Sequence, residues 1–439
     1  MKNILFSSVT EKVCFFVLHC SFIERSNPMG LGPSTKMTSL YHCDCPLTQG
    51  ILQDDELKLV GVVIAGVSEG YNEKRFTAQR IGNLINAAEI DGGIVVTDGW
   101  GNHHIDFVSI IDEFGKRRLP SVGLSFFGLQ GKLVYDSPYL DVLIDFNKGL
   151  TGYESCVVGE NHIAQEDVYK TLGLLKHKIA KNSFHTPSSG KIFQEDLLSH
   201  KHYKVNKVVA ADYFDLKSGQ LVIDTSSVAL TYDSNLIHSY SIQVISPRNK
   251  QQNINSILDF SPIMCKESGS LGQGVSRRLN GVSLLLTGVE VSGFQPANIG
   301  SSEGILSEQV VFNTPGTPKD EDYLIHFDVV FQPNQGRTIN GIREAHRLLD
   351  SYVNEIRKQL HSYKDSLFDR QTIRSQGSHN AKRVLLVKVV SGLGNMYDTS
   401  VFPIEPAGYL GSYHTMQFMN MPVLVSAPQI LDGVIHSLV

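Results

Sequence analysis

Cysteine occurs six times in 439 residues and tryptophan once. Six scattered cysteines without a repeated Cys-x-x-Cys pair suggest neither a disulfide scaffold nor a zinc ribbon. Basic excess is also missing: 39 Lys and Arg stand against 44 Asp and Glu, a formal net charge of -5. A nucleic-acid binder needs a basic footprint, so that class is not favoured. No continuous apolar run reaches the roughly 18 to 20 residues that span a bilayer. The nearest, Val13 to Leu18 and on to Ile23, is broken by His19, Cys20 and Ser21. Glu24 to Pro28 gives no small-x-small cleavage pattern. Residues 1–28 are therefore expected to be a disordered or non-native extension, with Met29 an alternative start. What is plentiful is ordinary: 41% apolar and 19% charged residues, enough to build cores and to exclude global disorder.

Residues 29–181 are expected to form an α/β domain. Leu59 to Ile64, Gly92 to Thr97, Pro120 to Ser125 and Leu140 to Ile144 read as buried strands. Between them, Asn72 to Glu89 and Phe107 to Phe114 have helical spacing, and Glu166 to Lys178 closes the unit. Such alternation predicts a parallel sheet with right-handed crossovers. A cluster of breakers around Pro187 predicts a linker over 182–202. Residues 203–361 carry short alternating segments, such as Gln220 to Asp224 and Leu324 to Phe331, then an amphipathic helix from Ile342 to Leu360. A polar, mobile crossing is expected over 362–382. Residues 383–439 return to the α/β style with Arg383 to Val390 and Met421 to Ser426. The fold class is thus α/β: a parallel-sheet domain, a β-rich α+β domain and a C-terminal α/β segment. No internal repeat of 20–50 residues is visible.

Chemistry is most concentrated at Thr97-Asp98-Gly99-Trp100-Gly101-Asn102-His103-His104-Ile105-Asp106-Phe107. It follows a predicted parallel strand, where open α/β sheets bind ligands. Asn102 supplies donors, His103 and His104 can carry protons, and Asp106 can orient them. Helix capping by Asn102 or Asp106 is the other reading of the same residues. A metal would need a third ligand, and spacing identifies none. Ser125-Phe126-Phe127-Gly128-Leu129-Gln130-Gly131 follows the next strand, so Gln130 and Ser125 can line the same crevice, or the loop simply closes the core. Cys43-Asp44-Cys45 reads either as a redox or metal contact or as two reduced thiols. Met29 to Lys36 lacks most of a dinucleotide fingerprint. Asn298 to Gly304 and Glu267 to Gly272 read as Gly/Ser-rich turns.

Taken together, these stretches resemble a known family. They are Leu59 to Val63, Gly99 to Phe107, Val122 to Phe126, Gln130-Gly131, Leu271 to Val275, Leu286 to Gly288, Gly300 to Gly304, Ala345 to Arg347, Met421 to Val423 and Leu431 to His436. The chain resembles the D-proline reductase proprotein family and, more distantly, the component B subunits of glycine, sarcosine and betaine reductases. In that family the segment like 203–439 comes first and the one like 29–180 second. Here the order is exchanged, as in a head-to-tail fusion or a permuted paralogue. The resemblance implies an oxidoreductase of the dithiol type acting on a small amino acid, in proline catabolism and Stickland fermentation. It implies a cytoplasmic oligomer with other reductase subunits, one a selenoprotein. It also implies a pyruvoyl group made from a cysteine at the family's cleavage junction. Gly30 occupies that position here, and glycine has nothing to attack or eliminate with. The expectation is therefore no cofactor in this chain, and a non-pyruvoyl subunit whose candidate pocket is Asn102, His103, His104, Asp106 and Gln130. The alternatives are an active reductase cleaving a C–N bond and an amino-acid-binding regulatory module without chemistry.

Overall fold

The structure is a computed structural model. It describes residues 38–66, 70–97, 103–129, 133, 135–153, 155–182, 197–226, 228–296, 302–364, 369–374, 380–390 and 422–433.

The chain opens with α1 (Ser39–Cys43), α2 (Pro46–Leu52), β1 (Leu57–Gly66), α3 (Tyr71–Ala88), β2 (Gly92–Thr97) and α4 (His103–Lys116). Next come β3 (Ser121–Ser125), β4 (Leu143–Asp145) and α5 (Gln165–Lys181). The β-rich stretch begins with β5 (Leu197–Lys204), β6 (Lys207–Ala211), β7 (Asp215–Lys217), β8 (Gln220–Asp224) and β9 (Ile237–Ile245). It continues through β10 (Asn253–Ile254), β11 (Ser256–Ser261), β12 (Met264–Ser268), β13 (Gly274–Asn280) and β14 (Val282–Glu290). Then follow β15 (Gly304–Ile305), α6 (Leu306–Gln309), β16 (Tyr323–Phe331) and α7 (Ile339–Ser362). Last are β17 (Asp369–Arg374), β18 (Lys382–Val390), β19 (Val423–Val425) and a final helix, Ala427–Leu431.

The fold is α/β. Six strands form one sheet in the order β19-β1-β18-β2-β3-β4. All neighbours run parallel except β19, which is antiparallel to β1. Helices cover both faces, so the central strands must be apolar on both sides. On one face Val63, Val95, Leu385 and Val387 meet Ile81 and Ile85 of α3 and Phe107, Ile111 and Phe114 of α4. On the other face Val62, Ile64, Ile94 and Val96 share a core with Leu47 and Ile51 of α2 and Leu172 and Leu175 of α5.

That second core continues into the β-rich part. It includes Leu284, Leu286, Phe327 and Phe331 and the α7 stripe Leu348, Leu349, Tyr352, Val353, Ile356 and Leu360. Helix α7 is therefore amphipathic because one stripe packs on sheet residues. Thr338 caps it, Oγ1 accepting from the Gly341 N–H at 3.0 Å. The remaining strands form sheets β11-β14-β16-β9, β12-β13-β5-β17, β6-β8-β7 and β10-β15.

Three features differ from the sequence reading. β5 starts at Leu197, inside the stretch read as linker, and its pairing with β13 and β17 accounts for it. β17 lies inside the stretch read as a mobile crossing; its polar Asp369-Arg370-Gln371 sequence suits an edge strand. The stretch read as a C-terminal α/β segment from Arg383 onward places its first strand in the sheet of the first α/β unit, between β1 and β2. No helix of the described residues is long and apolar enough to cross a membrane.

Candidate functional site

Strands β1, β18, β2 and β3 point their carboxyl ends toward one edge, and α4 starts there. Of the expected pocket residues, His103, His104 and Asp106 are placed at this edge. Asn102, Gln130 and the junction residue Gly30 lie outside the described residues.

Asp106 sits in the first turn of α4, where a carboxylate complements the helix dipole. Its partner is Lys74, with Nζ 2.5 Å from Oδ2. Their side chains are 1% and 3% exposed, so the pair is buried. Lys74 belongs to the inward stripe of α3 with Ala78, Ile81 and Ile85. The sequence reading missed it. The available signal was a lysine at helical spacing with apolar positions, where a solvated side chain is expected.

His104 is fully buried, and its Nε2 lies 2.9 Å from Ser125 Oγ. The serine proton goes to the Phe126 carbonyl at 3.1 Å. Ser125 Oγ can thus accept from His104 Nε2 when the imidazole carries its proton there. Phe107 and Phe127 flank the ring at 6.3 and 5.5 Å between centroids. This histidine is tethered rather than poised. His103 differs: its Nδ1 is enclosed and makes no hydrogen bond. Burial, then the Lys74 ammonium, then His104, push its pKa down from 6.5 to about 4. It stays a neutral imidazole at pH 7, able to accept a hydrogen bond while feeling the charge of a buried cation.

The same inversion occurs in the β-rich part. His326 is buried and pushed down to about 4 by desolvation, against a smaller upward pull from Asp328. Gln243 Nε2 lies 2.7 Å from its Nδ1, and Thr287 Oγ1 lies 2.7 Å from its Nε2. A pH dependence follows. The unfolded chain takes up these protons below about 6.5, and the folded chain only near 4. Stability is therefore lost as pH falls from about 6.5 to about 4. Urea unfolding across that range should show His103→Gln and His326→Gln each with a shallower loss. An unchanged slope in both variants contradicts the assignment.

A second constellation joins the two ends of the described chain. Asp432, wholly buried, accepts from Ser276 Oγ at 2.5 Å, from the Gly272 N–H at 2.8 Å and from Lys266. His200 Nε2 lies 3.7 Å from it. Nearby, Arg278 grips Asp44 through two hydrogen bonds of 2.6 and 2.7 Å. Burial raises the Asp44 pKa, but the charge and hydrogen bonds of Arg278, with His200 and His202, outweigh it and hold it low. Burial, then Asp44, pushes the Cys43 thiol up to about 12, so it stays protonated. A Cβ on Gly433 would lie 3.4 Å from Cys43 Sγ, which places the segment after 37 against the segment before 434.

Residues 30–132 match the family of glycine/sarcosine/betaine reductase component B subunits. Lys74, His103, His104, Asp106 and Ser125 all fall inside that match. The D-proline reductase proprotein of Acetoanaerobium sticklandii is 30% identical over 244 residues, 55% of this chain and 39% of the relative. The chain thus aligns with about two fifths of that curated relative's length. No solved structure matches. The match and the relative both support the family resemblance.

Proposed function

We propose that this chain is a non-pyruvoyl subunit of a D-proline reductase-type (dithiol) amino-acid reductase system, supporting or assembling with the catalytic subunits. The observation that carries this is the family match over 30–132, which contains the whole sheet-edge cluster built on Lys74, His103 and Asp106. Its partners would be other reductase subunits, a selenoprotein among them, in a cytoplasmic oligomer. Its segments would be a fused or permuted version of the relative's.

The reading of no self-made pyruvoyl group rests on the resemblance, which puts Gly30 where the family has its cysteine. Gly30 has no side-chain sulfur or hydroxyl to attack a carbonyl. Cys43, the next cysteine, is buried with its thiol held protonated. What the chain's own residues supply is a buried Lys74–Asp106 pair that holds the start of α4, and a neutral His103 beside it.

A second reading is an active D-proline or glycine/betaine-type reductase. The neutral His103 imidazole favours it as a hydrogen-bond acceptor for a substrate N–H, although burial leaves it a weak base at pH 7. An amino-acid-binding module without chemistry is the third reading. Tagged full-length protein, drawn from the extract of its own cells, is expected to bring down reductase subunits. Recovery of none contradicts the proposal. Turnover of D-proline with a dithiol by the chain alone selects the second reading.

A further inference from the structure

Lys388 is a lysine in the middle of a buried strand. Its neighbours Val387 and Val389 face α3 and α4, so by alternation Lys388 faces the other way, with Leu386 and Val390. It is 2% exposed. Among the described residues it pairs with no carboxylate. Instead Nζ lies 3.0 Å from His42 Nδ1, 3.6 Å from Cys45 Sγ and 4.9 Å from the centre of the Tyr41 ring. His42 and Cys45 are themselves wholly buried. A buried amine needs hydrogen-bond partners, and here an imidazole and a sulfur serve.

This arrangement places a primary amine against a buried thiol. Cys45 precedes α2, with Pro46 starting the helix, and it shares its core with Leu47 and Ile51. Its sulfur is therefore fixed on one side. The amine sits on a flexible four-carbon stem and can close on it. Small oxidants can reach such a place when larger reagents cannot.

We propose that Cys45 and Lys388 form a redox-modification site in which oxidation joins them through one oxygen atom, as Sγ–O–Nζ. With molecular oxygen the step balances. The S–H bond and one N–H bond break, and S–O and O–N bonds form. The second oxygen atom leaves as water with those two hydrogens, so four electrons pass to O2. The amine reacts as –NH2, and His42 Nδ1 takes the proton that the ammonium form sheds. Two equivalents of a dithiol reverse the step, returning thiol, amine and water with two disulfides. The bridge would tie β18 to the connection between α1 and α2. This inference does not depend on the proposed function. It holds or fails on the oxidised chain alone.

The test uses the full-length protein, prepared without oxygen, then exposed to O2 and digested without reductant. Peptide mass spectrometry is expected to find one cross-linked species containing Cys45 and Lys388. Its mass should exceed the sum of the two peptides by one oxygen less two hydrogens, about 14 Da. Dithiothreitol should abolish it, and Lys388→Arg and Cys45→Ser should each prevent it. The wild-type measurement stands even if a variant misfolds. Recovery of Cys45 as a free thiol, a sulfinic acid or a disulfide with Cys43, with the Lys388 peptide unmodified, overturns the proposal.

Discussion

Lys74→Met is expected to lower the unfolding free energy by about 3–5 kcal/mol, because it takes the cation away from the buried Asp106 carboxylate. Both partners are nearly solvent-free, at 1% and 3% exposure, and meet at 2.5 Å. The size of the loss measures the cost of a buried carboxylate without its cation, not the net worth of the pair. The double variant Lys74→Met/Asp106→Leu should therefore recover most of the stability. The same substitution has a second readout. Lys74 is the second cause, after burial, of the low His103 pKa. Its removal should move the His103 titration upward in an NMR pH series. A denaturation midpoint unchanged by Lys74→Met would mean that the pair is not buried as described.

Asp432→Ala is the other substitution with a large expected effect, again about 3–5 kcal/mol. It removes the acceptor for Ser276, the Gly272 N–H and Lys266 together. Burial, the larger cause, already lowers the Lys266 pKa, and Asp432 works against it. Without the carboxylate the buried amine keeps the Ser276 hydroxyl at 3.0 Å but loses its counter-charge. Asp432→Asn keeps the shape but not the charge, so it should lose much of the same stability. Urea unfolding of both variants checks this. A loss below about 1 kcal/mol in each, the range of an exposed ion pair, contradicts a closed network.

Much of the α/β half was legible because its signals are local. Leu59 to Ile64, Gly92 to Thr97 and Pro120 to Ser125 read as buried strands, and β1, β2 and β3 cover them. The α7 stripe was equally plain, since apolar residues recur at helical spacing over 24 residues. What was hidden depends on distant pairing. Nothing within Arg383 to Val390 says that it inserts between β1 and β2, because sheet order is decided by contacts about 300 residues apart. The edge strand β17 was missed because its residues are polar and exposed. The site divides in the same way. His103, His104 and Asp106 were legible as a cluster because they are adjacent in sequence. Lys74 is 32 residues from Asp106, and their pairing appears only when α3 packs on α4. Lys388 carried a signal of its own, a lone lysine in Val-Leu-Leu-Val-Lys-Val-Val, that composition alone does not interpret.

The central claim is a reductase-system subunit that makes no electrophilic carbonyl of its own. Intact mass of the purified full-length chain, with and without a carbonyl-trapping hydrazine, tests it most directly. The expected result is a single uncut chain without an adduct. A cleaved chain carrying one hydrazine at a new N-terminus would contradict the account, and sequencing that terminus would identify the residue that became the carbonyl.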